Sequence, residues 1–399
     1  MRIPRTEPGG GLISLENQRE AQRDFLQLTN MLGTHRIYVD EWAEVYDLLK
    51  PYADHSFWQW PATLDPTATY IVGRVLLKQH WAEITEWADA HPGRIIFSNP
   101  AEGSETILLQ LRRLRITDRV QDQRIGLLTS GDLEPGIPYC KTDCYFSNIV
   151  EYTENKAAQQ QAAMNSKHTR PYEYVMLNGR LRPHRKAVID ALREQNLLDH
   201  ALWTNLNAHV EMGFTSKLTV AQTEPIRLLP PEYEIERAIP NMNTAYEHSF
   251  AKHHLFGNTW GDAIVNPRVY TDSWYSIVTE TIYDYPYTFR TEKIWKPILM
   301  AHPFVVAANR GYLRDLRSVG FRTFAHLIDE SYDLVDDPHV RIDRIVDCVR
   351  DIGTQGAAHF WAASRDVCKH NQALLVEYNR AERAELPENL RVYLDSLLR

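Results

Sequence analysis

The chain has 399 residues, of which 44% are hydrophobic and 24% charged, with a formal net charge of −8 and four cysteines. These values exclude a disordered or fibrous chain, a disulfide scaffold and a strongly basic nucleic-acid binder. No window approaches 18 uncharged apolar residues, and the start MRIPRTEPGGG lacks a signal-peptide core, so we expect a cytoplasmic protein without a membrane span.

Strand-like and helix-like segments alternate through the first half of the chain. The segments are helix 15–32, strand 36–39, strand 69–75, helix 79–91, strand 94–97, helix 104–114 and strand 125–129. This alternation is typical of a parallel sheet with crossover helices. The polar stretch 155–170 (NKAAQQQAAMNSKHTR) is the predicted linker to a second unit.

The second half repeats the same rhythm. Its segments are strand 172–177, helix 183–195, strand 274–280, helix 291–301, strand 303–308 and helix 312–319, with Gly320 at a helix C-terminus. We therefore predict an α/β protein with two Rossmann-like domains and a C-terminal helical tail. The predicted bounds are 1–165 for the first domain, 171–355 for the second and 356–399 for the closing helices.

Charged residues cluster where the strand at 274–280 leads into the next helix. Residues 288–297 (TFRTEKIWKP) place Arg290, Glu292 and Lys293 at the helix start, and a helix N-terminus is a natural site for phosphate. The carboxylate of Glu292 could accept ribose or sugar hydroxyls while the ammonium of Lys293 faces phosphate. The alternative is that Glu292 complements the helix dipole and Lys293 is solvated.

A second basic cluster follows the strand at 172–177. Residues 175–185 (VMLNGRLRPHR) carry Arg180, Arg182 and Arg185 around a glycine-containing turn and a helix that begins at Pro183. Guanidinium groups match phosphate oxygens bidentately, so three of them suit a diphosphate. The alternative is a solvated basic helix start that is paired with nearby acids.

Together these two segments resemble a known family. Residues 287–295 (YTFRTEKIW) resemble the donor-binding motif of Lewis-type fucosyltransferases, and residues 177–185 (LNGRLRPHR) resemble a signature of related glycosyltransferases from phages and marine bacteria. Further residues that match this pattern are 296–297 (KP), 302–304 (HPF), 320–321 (GF), 323–324 (TF) and 329–333 (DESYD). The resemblance covers about 174–347 and implies a GT-B glycosyltransferase with a nucleotide sugar as donor and co-substrate.

The resemblance also implies roles for individual residues. By their positions in the motif, Thr291, Glu292 and Lys293 would belong to the donor site. Glu292 would bind ribose or sugar hydroxyls, and Lys293 would bind the donor phosphates. Arg185 or Arg180 would bind the diphosphate. The remaining donor-side candidates are Arg182, an aromatic at Tyr287 or Phe289, and Glu280, which lies in 279–281 (TET) where the family has a Glu–Asn pair.

The acceptor hydroxyl needs a general base, which we expect in the first domain across a cleft. Glu102, between a strand end and a helix start, and Asp132, in a Ser-Gly-Asp turn, are the two candidates. Glu102 could instead be an ordinary acid of a helix first turn. Since the chain contains no Asp-x-Asp pair, we predict that arginine, lysine and helix dipoles stabilise the leaving group without a metal or another cofactor.

Several identities stay open at this point. The acceptor could be a glycan or a 5-hydroxymethyl pyrimidine in phage DNA, and the sequence fixes neither the donor sugar, the stereochemical outcome nor the oligomeric state. A DNA acceptor would need a local basic groove, for which the candidate residues are Arg112, Arg113, Arg115, Arg119 and Lys141. A nucleotide-sugar-binding or glycan-binding protein without turnover is the alternative outside the enzymes.

Overall fold

The chain forms two parallel β-sheets with helices around them. The computed structural model describes residues 31–143, 169–211, 216–233 and 265–399, apart from 42, 44 and 101–103. The predicted helix 15–32 and linker 155–170 lie almost entirely outside these residues, and so does Glu102. The α/β class with two parallel sheets is confirmed.

The first sheet has six parallel strands. They are β1 Arg36–Asp40, β2 His55–Phe57, β3 Ala68–Val72, β4 Ile95–Ser98, β5 Ile125–Thr129 and β6 Cys140–Lys141, in the spatial order β2-β1-β3-β4-β5-β6. Its helices are α1 Tyr46–Leu49, α2 Arg74–Gln79, α3 Trp81–Ala90, α4 Ser104–Arg113 and α5 Thr117–Gln121. Every residue of β3 and β5 is buried, which explains their continuous apolar sequence.

The second sheet has four parallel strands. They are β7 Tyr172–Asn178, β8 Ala201–Asn205, β9 Ser273–Thr279 and β10 Phe304–Ala307, in the order β10-β9-β7-β8. Its helices are α6 Pro183–Glu194, α7 Pro267–Thr271, α8 Glu292–Leu299, α9 Tyr312–Ser318, α10 Pro338–Gln355 and α11 Ala357–Ala363. Strands β2, β6 and β8 were not among the predicted segments, whereas the others lie within a few residues of their predicted bounds.

Strand order reverses once in each sheet. The reversal lies between β1 and β3 in the first sheet and between β7 and β9 in the second. In open parallel sheets, ligands bind outside the carboxyl ends of the strands at this switch point. In the second sheet, β7 leads to residues 179–182 and β9 leads to residues 280–281, which include Arg180, Arg182 and Glu280.

One long helix, α12 Arg365–Leu397, packs into the hydrophobic cores of both sheets. Its first part contributes Leu375 to the core of the second sheet, and its last part packs Leu390 and Leu394 on the first sheet. Gly126 of the first sheet allows this close approach, because a Cβ atom at that position would lie only 2.7 Å from the Cδ1 atom of Leu397. The predicted segment of closing helices, 356–399, contains α11 and α12. Among the described residues, no helix is long and apolar enough to cross a membrane.

Candidate functional site

Helix α8 begins at the end of the second sheet that carries the switch point. Thr291 is its N-cap residue, and the Thr291 hydroxyl accepts a hydrogen bond from the backbone N–H of Lys293. Threonine is a favoured residue for this position because its oxygen satisfies a backbone donor that the helix leaves free. The local sequence Thr-Glu-Lys therefore fixes where the helix begins.

Glu280 holds this helix start in place. Its carboxylate is fully buried and accepts hydrogen bonds from the Thr291 hydroxyl at 2.6 Å, the Thr291 N–H at 3.2 Å and the Thr281 N–H at 3.1 Å. A fourth bond comes from the Tyr312 hydroxyl at 2.8 Å. Glu280, predicted as a donor-side acid, is therefore placed where it orders the loop and the helix start.

Glu292 and Lys293 form an ion pair in the first turn of α8. The Lys293 ammonium lies 2.6 Å from the Glu292 carboxylate and also donates to the hydroxyls of Thr291 at 3.1 Å and Thr281 at 3.3 Å. Burial would raise the pKa of Glu292, but the positive charges of Lys293 and Lys296 outweigh it and lower the pKa to about 2. Glu292 is therefore ionised at neutral pH, and Lys293, at 15% side-chain exposure, is the accessible member of the pair.

Arg185 is a buried cation that forms no ion pair with a carboxylate in the described part of the chain. Its residue is 3% exposed, and it donates to the backbone oxygens of Arg180 at 2.7 Å and of Thr279 and Glu280 at 3.2 Å each. Its Nε atom has no hydrogen-bond partner among the residues that the structure describes. Burial lowers its pKa to about 9. Although the carboxylates of Glu292, Glu280 and Glu211 favour its charged form, burial of a charge is costly, so an anionic ligand would stabilise this guanidinium further.

Arg182 and Arg180 lie at the same turn in different environments. Arg182, the N-cap residue of α6, is buried and donates to the backbone oxygen of Thr281 at 2.7 Å, with the Glu211 carboxylate 3.9 Å from its Nε. Arg180 is exposed. Arg182 and Arg185 thus connect the turn after β7 to the residues after β9, which brings both halves of the predicted donor site together.

The two aromatic candidates differ in accessibility. Tyr287 is partly exposed and its ring lies 5.3 Å from that of Tyr285. Phe289 is 1% exposed and packs beside Gly131 of the first sheet, where a Cβ would lie 2.9 Å from its ring. Of the two aromatic rings, that of Tyr287 is the one that a ligand can reach in this arrangement.

Asp132, the described candidate for the base, lies where the first sheet meets the second. Its carboxylate is 2.9 Å from the Lys141 ammonium and its side chain is 41% exposed. Its backbone N–H donates to the Thr288 oxygen at 3.0 Å. Asp132 therefore contacts the chain three positions before Thr291, the N-cap of α8, whereas Glu102 lies outside the described residues.

A buried charge network that the sequence does not indicate lies beside Asp132. Arg290 donates to the carboxylates of Asp315 and Asp143, the latter at 2.8 Å, and to the Tyr378 hydroxyl at 3.3 Å. Asp143 also lies 3.0 Å from the Lys141 ammonium. No local motif marks these partners, because they come from segments that are far apart in sequence.

Two concave regions of the second half of the molecule differ in whether predicted site residues line them. A small cleft of about 30 Å³ between β7, β9 and α8 is lined by both Lys293 and Lys296. A larger cavity of about 340 Å³ lies beside Cys348 and Asp329 and contains none of the predicted site residues. The first region adjoins the predicted donor site through Lys293, although its volume is only about that of one water molecule. Within the described ranges, no three or more His, Cys, Asp or Glu residues gather as a metal site would require.

No known protein family, curated protein or solved structure matches this chain. The resemblance to glycosyltransferases therefore depends on the motif residues themselves. Of those residues, Arg182, Arg185, Glu280, Thr291, Glu292 and Lys293 are connected by the contacts described above.

Proposed function

We propose that this protein is a glycosyltransferase that moves a sugar from a nucleotide-sugar donor to an acceptor hydroxyl, with a GT-B arrangement of its two sheets. The observation that carries the proposal is the buried Arg185 guanidinium, which forms no ion pair with a described carboxylate and lies at the switch point of the second sheet. Lys293 at the start of α8 supplies a second cation near the end of β9. A diphosphate carries the charge and the oxygen atoms to bind both.

In the proposed reaction the acceptor oxygen attacks the anomeric carbon of the donor sugar. A bond forms between these two atoms, the bond from that carbon to the diphosphate oxygen breaks, and its electron pair goes to the diphosphate. Arg185, Lys293 and the N-terminus of α8 would stabilise the charge that develops there, without a metal ion. The acceptor proton would go to a carboxylate of the first half, either Glu102 or Asp132.

Donor binding is the first test. Thermal unfolding is measured with UDP-, GDP-, CMP- and ADP-linked sugars, for the wild type, Lys293→Ala and the control Lys78→Ala, which removes an exposed lysine from α2. A donor at 100 times its dissociation constant adds about 2.7 kcal/mol of stability. We expect one nucleotide class to raise the midpoint in the wild type and in Lys78→Ala but not in Lys293→Ala. The absence of any shift up to millimolar donor would contradict the proposal.

Turnover distinguishes an enzyme from a protein that only binds. The wild type, Glu102→Gln and Asp132→Asn are incubated with the labelled donor and with glycan or hydroxymethylated DNA acceptors. Loss of transfer with unchanged donor binding in one variant would identify the base, whereas binding without any product would favour the non-catalytic alternative.

Two residues of the predicted basic groove are already neutralised, Arg119 by Asp89 and Lys141 by Asp132 and Asp143, so we expect a glycan acceptor to react in preference to DNA.

A further inference from the structure

The segment that precedes α8 is attached to the first sheet. The Thr288 backbone oxygen accepts from the Asp132 N–H at 3.0 Å, and Tyr285 donates from its hydroxyl to Glu134 at 2.7 Å. Phe289 packs against Gly131 between these contacts. The start of the proposed donor helix is therefore connected to the loop that follows β5.

Arg290 is the buried centre of this junction, one residue before the N-cap of α8. Its side chain is 7% exposed and binds Asp143, which follows β6 of the first sheet, at 2.8 Å. Its other nitrogen binds Asp315 on α9, beside the second sheet. One guanidinium thus holds a carboxylate from each half of the molecule.

Asp143 extends the junction into the first sheet. Its carboxylate accepts from the Gly131 N–H at 3.0 Å and lies 3.0 Å from the Lys141 ammonium. Although burial opposes ionisation of Asp143, Arg290 and Lys141 overcome it and lower its pKa. A charged pair enclosed in this way depends on both partners, because removal of one leaves the other buried and uncompensated.

We propose that Arg290 is a positioning residue, which fixes the start of α8 against the first sheet and so sets the distance between the bound donor and the acceptor side. The effect on catalysis rests on the proposed function, whereas the physical coupling of the two sheets does not. Arg185 and Lys293 are held by the second sheet through the backbone oxygens of Thr279 and Glu280 and the hydroxyl of Thr281. Loss of the Asp143 contact should therefore impair alignment while leaving donor binding intact.

The coupling is tested without a ligand by hydrogen–deuterium exchange of the full chain. Asp143→Asn removes one charge of the junction. Asp89→Asn is the control, since Asp89 likewise pairs with two cationic side chains, Arg119 and Arg124, but within the first half alone. We expect amide exchange in both segments 129–143 and 285–293 to accelerate at least tenfold in Asp143→Asn, with strand β7 unchanged. Faster exchange in 129–143 alone would overturn the coupling. If Asp143→Asn does not fold, Arg290→Lys is the replacement variant. It retains the positive charge but lacks the planar guanidinium that binds Asp143 and Asp315 together.

The positioning role is tested by steady-state kinetics with the donor that the binding screen identifies. We expect Asp143→Asn to lower kcat at least tenfold while the donor KM stays within twofold, and Asp89→Asn to match the wild type. An at least tenfold rise in the donor KM with an unchanged kcat would overturn the positioning role and would indicate a role in donor binding instead. If the wild type transfers no sugar, the proposed function fails on its own, and the exchange experiment still decides whether Arg290 couples the sheets.

Discussion

Arg185 and Glu280 are both buried next to the end of β9, but their hydrogen bonding differs. Glu280 accepts four hydrogen bonds from protein groups, so its charge is compensated before any ligand arrives. Among the described residues, Arg185 binds backbone oxygens alone, and its Nε–H has no hydrogen-bond acceptor there. At the scale of single residues, the hydrogen bonds of Glu280 indicate a structural role, whereas Arg185 is the residue that we propose to bind the donor.

Glu280→Gln should therefore destabilise the fold. An amide cannot accept all four bonds, and hydrogen bonds to a charged group contribute about 1.5–3 kcal/mol each, so we expect a loss of about 2–4 kcal/mol in the free energy of unfolding. Urea denaturation measures this loss, with the exposed Glu86→Gln on α3 as control. A loss equal to that of the control would contradict a structural role for Glu280.

Arg185→Lys should weaken donor binding. The lysine keeps a positive charge but cannot bind two phosphate oxygens from a planar fork, so we expect the dissociation constant to rise at least tenfold, or about 1.4 kcal/mol. Calorimetric titration with the donor identified by the thermal screen measures it. Arg193→Lys, an exposed change on the same helix, should leave the affinity unchanged, and an Arg185→Lys variant with wild-type affinity would remove Arg185 from the site.

At the scale of elements, the first turn of α8 should make stability depend on pH. The folded-state pKa of Glu292 is about 2, below the ordinary value of 4.5, so its contribution is complete above pH 4.5 and is lost as the pH falls toward 2. On acidification through this range, we expect the free energy of unfolding of Glu292→Gln to fall by roughly 2–3 kcal/mol less than that of the wild type. Denaturant unfolding at pH 6 and pH 3 measures the difference, and Glu83→Gln on α3 should behave like the wild type.

The elements also show how far the sequence predicts this structure. Strand β5 was predicted from an apolar run between turn residues, and the start of α8 from Thr-Glu-Lys, because both signals are local. The edge strands β2 and β6 were missed because they are only three and two residues long. The pair Arg290–Asp143 spans 147 positions and Tyr312–Glu280 spans 32, so no local pattern could reveal them.

At the scale of the whole molecule, α12 should determine the stability of the first sheet. Leu394 is fully buried on that sheet, and truncation of a core leucine to alanine costs about 2–5 kcal/mol. We expect Leu394→Ala to lower the free energy of unfolding by this amount. The matched control is Val392→Ala, two positions away on the same helix and 53% exposed, which should change it by less than about 0.5 kcal/mol. Equal effects of the two variants would show that the helix does not stabilise this face.

The same contact has a consequence for biosynthesis. The Leu127 N–H bonds to the Tyr393 hydroxyl, 266 positions later in the chain, and the apolar face around Ile71, Ile96 and Leu128 is covered by Leu390 and Leu394. While the ribosome is still translating the second sheet, the part of that face which Leu390 and Leu394 cover is still exposed, and exposed apolar strands favour aggregation. The first half of the molecule, although it is made first, therefore completes this part of its core only after α12 has been translated.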